Sequence, residues 1–199
     1  MASPPPAPAA TGPNSVFVYG TLMAEEVVRI LLSCIPPSAP ALLPNHQRFS
    51  IKGRVYPAIL PVQGQQVNGK VFKDLTDREL EVFDLFEDEE YVRKTVEVSL
   101  TVSAFQPCRH NLIAHFISNS GTLFFIIIIS CVVQLMEDVW NFQDTSEKLL
   151  VYAYIWVNPS DPDLFGEWDF EEWRKVHLKD YLEMTQEFMD ELEKSESKP

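Results

Sequence analysis

The chain has 199 residues, a net charge of -13 and an isoelectric point near 4.7. This length is enough for one domain with a complete hydrophobic core. Because nucleic acids and anionic membrane surfaces are bound by clustered Lys and Arg, the acidic composition argues against both as partners.

The N-terminal segment 1–15 is rich in Pro and Ala and has no hydrophobic periodicity, which predicts a disordered leader. It lacks the charged and apolar regions of a secretory signal, and the absence of Arg argues against a transit peptide. The three cysteines, Cys34, Cys108 and Cys131, have neither paired nor metal-binding spacing. We therefore expect unpaired thiols and a reducing, cytoplasmic compartment.

The first element is a buried strand that begins at Val16 and ends in a turn at Gly20. A helix is predicted from Leu22 to Ile35, where Pro36 stops it. A glycine between a strand and a helix lets a ligand approach the backbone closely, and the N–H groups at the helix start can bind a carboxylate or an oxyanion. The turn is therefore a candidate binding loop.

Residues 47–73 are typical of strands interrupted by turn residues. The interruptions are predicted at Pro57, Pro61, Asn68 and Gly69. Because the segments are short, the pattern favours antiparallel hairpins over parallel crossovers.

The next helix has a clear start signal. Thr76 is followed three residues later by Glu79, which is the spacing of a capping box. A Ser or Thr at this position accepts a hydrogen bond from the backbone of the third helical residue, whose carboxylate bonds back. The sequence therefore predicts a helix that begins directly after Thr76.

Glu87 lies on the apolar stripe of that helix. Leu80, Phe83 and Glu87 are spaced three and four residues apart, which places them on one face. Desolvation and the negative end of the helix dipole both disfavour an ionised carboxylate there, as a general acid or base near neutrality requires. The alternative is that Glu87 belongs to a solvated acidic run with its neighbours at 88–90.

Two later segments are predicted to form paired strands. Val96, Val98 and Leu100 alternate with polar residues, and 150–157 is rich in aromatic and branched residues. A terminal amphipathic helix follows from Asp169 to about residue 193, with a frayed tail at 191–199. Trp168 and Trp173 are interpreted as docking this helix against the sheet, with a gate over a pocket as the alternative.

Residues 102–143 differ from the rest of the chain. They are strongly apolar and contain only three charged residues, Arg109, Glu137 and Asp138. We interpret them as an insertion, and a uridine-rich retained intron would encode such a composition. A membrane span is the second interpretation, although the apolar core of about 15 residues is shorter than the roughly 20 that a helix needs. A native element of the protein is the third.

Several motifs together resemble the gamma-glutamylcyclotransferase-like superfamily, and most closely its plant avirulence-induced-gene-like branch. They are Tyr19-Gly20-Thr21-Leu22, Tyr56-Pro57-Ala58, Gly69-Lys70-Val71-Phe72, the stretch from Phe86-Glu87 to Arg93, and the acidic aromatic segment 163–173. The resemblance covers residues 16 to about 100 and again about 144 to 190. It implies a single α+β domain over 16–190, with a curved mixed sheet or small barrel flanked by helices.

The resemblance also implies a reaction. In a gamma-glutamylcyclotransferase the α-amino group of the substrate attacks its own γ-carbonyl and releases 5-oxoproline, without a metal, a cofactor or a covalent nucleophile. By resemblance Glu87 accepts the proton and later returns it. The substrate-binding loop comprises six residues: Tyr19, Gly20, Thr21, Leu22, Met23 and Ala24. Tyr91 and Arg93 either orient Glu87 or simply begin the next strand.

Two questions stay open at this level. The partner is a small gamma-glutamyl compound, but its leaving group can be an amino acid, an amine or cysteinylglycine. The alternative function is a stress-responsive ligand-binding module of the same fold without turnover. The oligomeric state is not indicated by the sequence.

Overall fold

The computed structural model describes residues 14–101 and 147–196. The predicted leader up to residue 13, the insertion at 102–143 and the last three residues lie outside the described residues. Asn14 and Ser15, which were assigned to the leader, belong to the domain. The Asn14 carbonyl accepts a hydrogen bond from the Leu75 amide, and the Ser15 carbonyl accepts one from the Tyr152 amide at 2.8 Å.

Five strands close into a barrel. The strands of the sheet are β1 (Val16–Val18), β2 (Ser38–Ile51), β3 (Ala58–Phe72), β4 (Tyr91–Leu100), β5 (Lys148–Trp156) and β6 (Leu164–Phe165). Going around the barrel, the order is β3, β1, β5, β4, β2 and back to β3, and the short β6 pairs with β2. The pairing of β1 with β5 is parallel, whereas the other pairings are antiparallel. The α+β class and the curved mixed sheet are therefore confirmed.

The segment around β2 and β3 is one long hairpin, so the predicted interruptions at Pro61, Asn68 and Gly69 are wrong. Pro61 lies opposite His46, beside a register shift that lets β2 accommodate it. A side chain at Gly69 would place its Cβ 2.2 Å from the Val18 carbonyl oxygen. Gly69 therefore lets β1 pack closely against β3 and does not end the strand.

The first helix begins later than predicted. A 3₁₀ turn at Thr21–Met23 comes first, closed by hydrogen bonds from the Met23 and Ala24 amides to carbonyls three residues earlier. Helix α1 (Glu25–Leu32) follows, and Ser33 ends it in the left-handed conformation with φ of 58°. The tight turn thus separates the strand from the α-helix.

Helix α2 (Asp77–Glu87) begins where the sequence predicted. Both hydrogen bonds of the capping box between Thr76 and Glu79 are present. Leu80 and Phe83 are buried in the core, and Glu87 is the last helical residue. The helix therefore carries the carboxylate to the edge of the core.

The predicted pairing of β4 with β5 is confirmed. The register places Val96 opposite Val151, and Ser99 opposite Lys148. Beyond the last pair, the Leu100 amide donates a 2.9 Å hydrogen bond to the Glu147 carbonyl. Leu100 and Glu147 therefore lie next to each other at the end of the β4–β5 hairpin.

Helix α3 (Phe170–Glu196) is the longest helix in 14–101 and 147–196. Trp168 and Trp173 are buried and their ring centroids lie 5.8 Å apart, so they join this helix to the domain as interpreted. The helix extends into the segment predicted as a frayed tail, where Arg78 of α2 forms an ion pair with Glu196. In the part of the chain described, no helix is both long and apolar enough to cross a bilayer.

Candidate functional site

A cavity of about 410 Å³ adjoins the end of β1. Its walls come from distant parts of the chain: the 3₁₀ turn, the turn between β2 and β3, the end of α2, β5 and helix α3. Clefts of this size can bury a small molecule, and polar groups that converge in them determine its orientation. The cavity is therefore the candidate site.

Glu87 lines this cavity. Its side chain is partly exposed on the cavity side, but the surrounding protein desolvates it and raises its pKa from the ordinary 4.5 to about 8. Among residues 14–101 and 147–196, no side chain or amide forms a hydrogen bond or ion pair with its carboxylate. The hydrogen-bonding capacity of the Glu87 carboxylate is thus left for a ligand, and its role as proton acceptor stays a prediction.

Five tyrosines line the cavity, and the charge of Glu87 acts on four of them: Tyr19, Tyr91, Tyr154 and Tyr181. Burial raises the pKa of each phenol, and the negative charge of Glu87 raises it further. The four phenols therefore remain protonated and can only donate or accept hydrogen bonds near the carboxylate.

Three of these phenols donate to acceptors of the protein. Tyr19 donates to the Tyr154 carbonyl at 2.7 Å, Tyr91 to the Pro57 carbonyl at 2.8 Å, and Tyr154 to the Asp84 carboxylate at 2.8 Å. These bonds brace the cavity wall, because each one links two different elements of the fold.

The predicted binding loop is divided by the 3₁₀ turn. Tyr19, Gly20, Thr21 and Leu22 line the cavity. Met23 and Ala24 are not part of its wall, and Ala24 is completely buried in the core. The tight turn rotates the chain away from the cavity wall after Leu22, and binding by all six residues stays a prediction.

The glycine at position 20 lets the loop pack closely against Pro57. A Cβ at this position would lie 2.8 Å from Cγ of Pro57. The two motifs that contain these residues are thus in direct contact at the cavity.

Arg48 of β2 forms a hydrogen bond with the same loop. Its guanidinium donates to the Tyr19 carbonyl at 2.7 Å and lies 5.3 Å from the centre of the Trp168 ring. Arg48 was not predicted as a site residue, because its strand position has no distinguishing pattern.

Arg93 does not contact Glu87. It forms a 2.9 Å ion pair with Asp84, which also accepts the hydrogen bond of Tyr154. Tyr91 begins β4 as one interpretation held, and it lines the cavity, but its hydroxyl donates to the Pro57 carbonyl, so an orienting role towards Glu87 stays a prediction. Asp84 and Tyr154 were not predicted as site residues. In the sequence, Asp84 resembles any exposed residue of a helix, and Tyr154 resembles any buried residue of a strand.

The cavity mouth carries one cluster of charge. Arg54 pairs with Glu90, and the Tyr56 hydroxyl donates to the same carboxylate at 2.8 Å. This cluster joins the turn before β3 to the residue that precedes β4. It neutralises part of the acidic run that follows Glu87.

The His and Cys side chains of the described residues do not form a metal site. The His46 ring nitrogen Nδ1 lies 2.8 Å from the Pro44 carbonyl oxygen, and Cys34 is an exposed free thiol. Within the described ranges, no group of three or more His, Cys, Asp and Glu side chains is arranged to hold a metal ion.

Comparison with known proteins places these features in a family. A family model described as "Gamma-glutamyl cyclotransferase, AIG2-like" matches residues 16–115. AIG2-like protein D of Arabidopsis thaliana is 44% identical over 179 residues, covering 90% of this chain and 91% of that protein. AIG2-like protein C of the same plant is 42% identical over 183 residues, covering 92% and 82%.

Solved structures agree with this match. The solution structure of one Arabidopsis thaliana protein is 33% identical, covers 94% of each chain and has a TM-score of 0.53. A second from the same plant is 31% identical, covers 95% of this chain and 88% of its own, and also has a TM-score of 0.53. The chain therefore belongs to the gamma-glutamyl cyclotransferase, AIG2-like family.

Proposed function

We propose that this protein is a gamma-glutamylcyclotransferase that releases 5-oxoproline from a gamma-glutamyl compound, with Glu87 as the proton acceptor. The family supports a cyclotransferase type of enzyme. The observation that carries the proposal is the desolvated Glu87 carboxylate, free of protein partners among the described residues and opposite the Tyr19 to Leu22 loop in one cavity.

The reaction needs only proton transfer and orientation from the protein. The neutral α-amine of the substrate attacks the γ-carbonyl carbon, and the electron pair of the C=O bond moves to oxygen. Glu87 takes a proton from the attacking nitrogen. When the carbonyl forms again, the bond to the leaving nitrogen breaks, and Glu87 returns the proton to that nitrogen.

The raised pKa suits both steps. A carboxylate with a pKa of about 8 is a stronger base than an ordinary Glu, and its protonated form is a competent acid near neutrality. The cavity holds the substrate curled, which brings its amine close to its carbonyl. Gly20, Thr21 and Leu22 are positioned to contact the reacting end, because they face the cavity that contains Glu87.

The direct test is release of 5-oxoproline from three substrates: a gamma-glutamyl amino acid, a gamma-glutamylamine and glutathione. We expect turnover of at least one, and loss of that turnover in Glu87→Gln. A protein that binds these compounds without releasing 5-oxoproline is a ligand-binding module of the same fold, and such a result would refute the proposed activity. The cytoplasmic compartment also stays a prediction.

A further inference from the structure

The hydroxyls of Thr21 and Tyr181 form a buried pair inside the cavity. Thr21 Oγ1 donates to the Tyr181 hydroxyl at 3.1 Å, and the two residues are only 6% and 7% exposed. They come from the 3₁₀ turn and from helix α3, which lie 160 positions apart in the chain. Both line the cavity that contains Glu87.

This pair has one hydrogen more than its internal bond can use. Two hydroxyls carry two hydrogens, and their mutual bond takes one of them. Across 14–101 and 147–196, neither hydroxyl has a second acceptor. Tyr181 differs in this respect from Tyr19, Tyr91 and Tyr154, whose hydrogens are directed to protein acceptors. A buried donor without a partner is costly, so an acceptor that enters the cavity is favoured at this point.

The position of the pair indicates which acceptor. Thr21 follows Gly20 at the start of the 3₁₀ turn, where the loop faces the cavity. We propose that the Tyr181 hydroxyl, held in place by Thr21, donates a hydrogen bond to the γ-carbonyl oxygen of the substrate. This inference rests on the proposed function. Negative charge develops on that oxygen when the amine attacks, so the hydrogen bond strengthens in the transition state.

Tyr181 remains a donor throughout the working range of pH. Burial raises the pKa of its phenol, and the charge of Glu87 raises it further. Its ring is fixed by edge contacts with Phe86 and Trp173, whose centroids lie 6.3 Å and 5.3 Å away. The hydroxyl is therefore oriented before the substrate binds.

The test compares Tyr181→Phe, the double variant Tyr181→Phe with Thr21→Val, and the parent, using L-γ-glutamyl-L-alanine or whichever substrate the parent turns over. The double variant removes both hydroxyls, so Thr21 cannot substitute for Tyr181. We expect kcat of the double variant to fall on the order of 10²-fold to 10³-fold, with KM within a few-fold. Tyr181→Phe alone is expected to lie between the parent and the double variant.

Tyr152→Phe is the matched control. It removes a phenolic hydroxyl from a residue that does not line the cavity, and kcat should not change. Circular dichroism and the melting temperature establish that each variant is folded. An unchanged kcat in the folded double variant, or a loss confined to KM, overturns the inference.

Different results would refute the proposed function and the role of the hydroxyl pair. If the parent releases no 5-oxoproline from any of the three substrates, the proposed function fails and this inference falls with it. If the parent and Thr21→Ser are active but the double variant is equally active, only the inference fails. Retention of activity in Thr21→Ser together with its loss in the double variant supports the hydroxyl pair.

Discussion

The Tyr19 hydroxyl donates a buried 2.7 Å hydrogen bond to the backbone carbonyl of Tyr154. The bond joins the end of β1 to β5, the two strands that run parallel in the barrel. Tyr19 is the first residue of the predicted binding loop, and its own carbonyl accepts a hydrogen bond from Arg48. The loop is therefore anchored to two strands before any ligand enters.

Tyr19→Phe should destabilise the protein by about 1–2 kcal/mol, because a buried carbonyl loses its donor. Urea denaturation of the variant and the parent measures the difference. Tyr152→Phe is again the control, since its hydroxyl is not part of this contact. Equal free energies of unfolding for Tyr19→Phe and the parent would contradict the role assigned to this bond.

Glu87→Gln should lower turnover by on the order of 10²-fold to 10⁴-fold, because the amide retains the size of the side chain but cannot accept the proton. Substrate affinity should change little. Glu81→Gln, on the exposed face of the same helix, controls for the loss of one acidic charge. If both variants keep the parental rate, Glu87 does not transfer the proton.

The same substitution should stabilise the protein at alkaline pH. The pKa of Glu87 is about 8 in the folded state and 4.5 in its ordinary environment. The folded state therefore binds the proton more tightly, and its stability falls as the pH rises from 4.5 to 8. Above that range Glu87→Gln should be more stable than the parent by up to a few kcal/mol.

Urea denaturation at a series of pH values tests this directly. The advantage of Glu87→Gln should disappear below pH 4.5, where the carboxyl is protonated in both states. A difference in stability that does not vary with pH would show that the burial of Glu87 is not its cause.

Gly20 and Pro57 should be energetically coupled. Gly20→Ala brings a Cβ to 2.8 Å from Cγ of Pro57, so one of them must move. We expect a loss of about 1–3 kcal/mol and weaker ligand binding. Pro57→Ala removes the clashing atoms, and in that background Gly20→Ala should cost less. A double-mutant cycle measures the coupling, and additive effects would exclude the contact as the reason for the glycine.

Removal of residues 102–143 should leave the domain intact. The flanking strands are paired up to Ser99 and Lys148, and Leu100 is bonded to Glu147 beyond them. A short connection can therefore bridge the hairpin, and a shorter loop has a smaller closure entropy. We expect the deletion variant to keep its melting temperature and its activity. A variant that does not fold would identify the segment as a native element.

Local signals in the sequence predicted local features of the structure. The capping box placed the start of α2, and the apolar stripe placed Glu87 at the cavity. Both depend on neighbours within one helix, so the periodicity of the helix is enough to infer them.

Features that depend on tertiary contacts were not predicted. Tyr181 lies on an amphipathic helix and Tyr154 in an apolar strand, where aromatic residues usually form core. Only the packing of α3 and β5 beside the loop makes them part of the cavity wall. Gly69 was similarly misinterpreted as a strand break. A glycine is needed there because the neighbouring strand β1 lies too close for a side chain.

The parallel pairing of Val16 with Tyr152 has a consequence for biosynthesis. The first strand leaves the ribosome early, but one of its two neighbours is translated more than a hundred residues later. Long-range pairings of this kind slow folding and leave strand edges open to wrong partners while synthesis continues. The barrel closes only when β5 arrives, and the cavity is complete only after α3. In a nascent chain that still lacks β5 and α3, Glu87 is therefore exposed to water and has the pKa of an ordinary carboxylate.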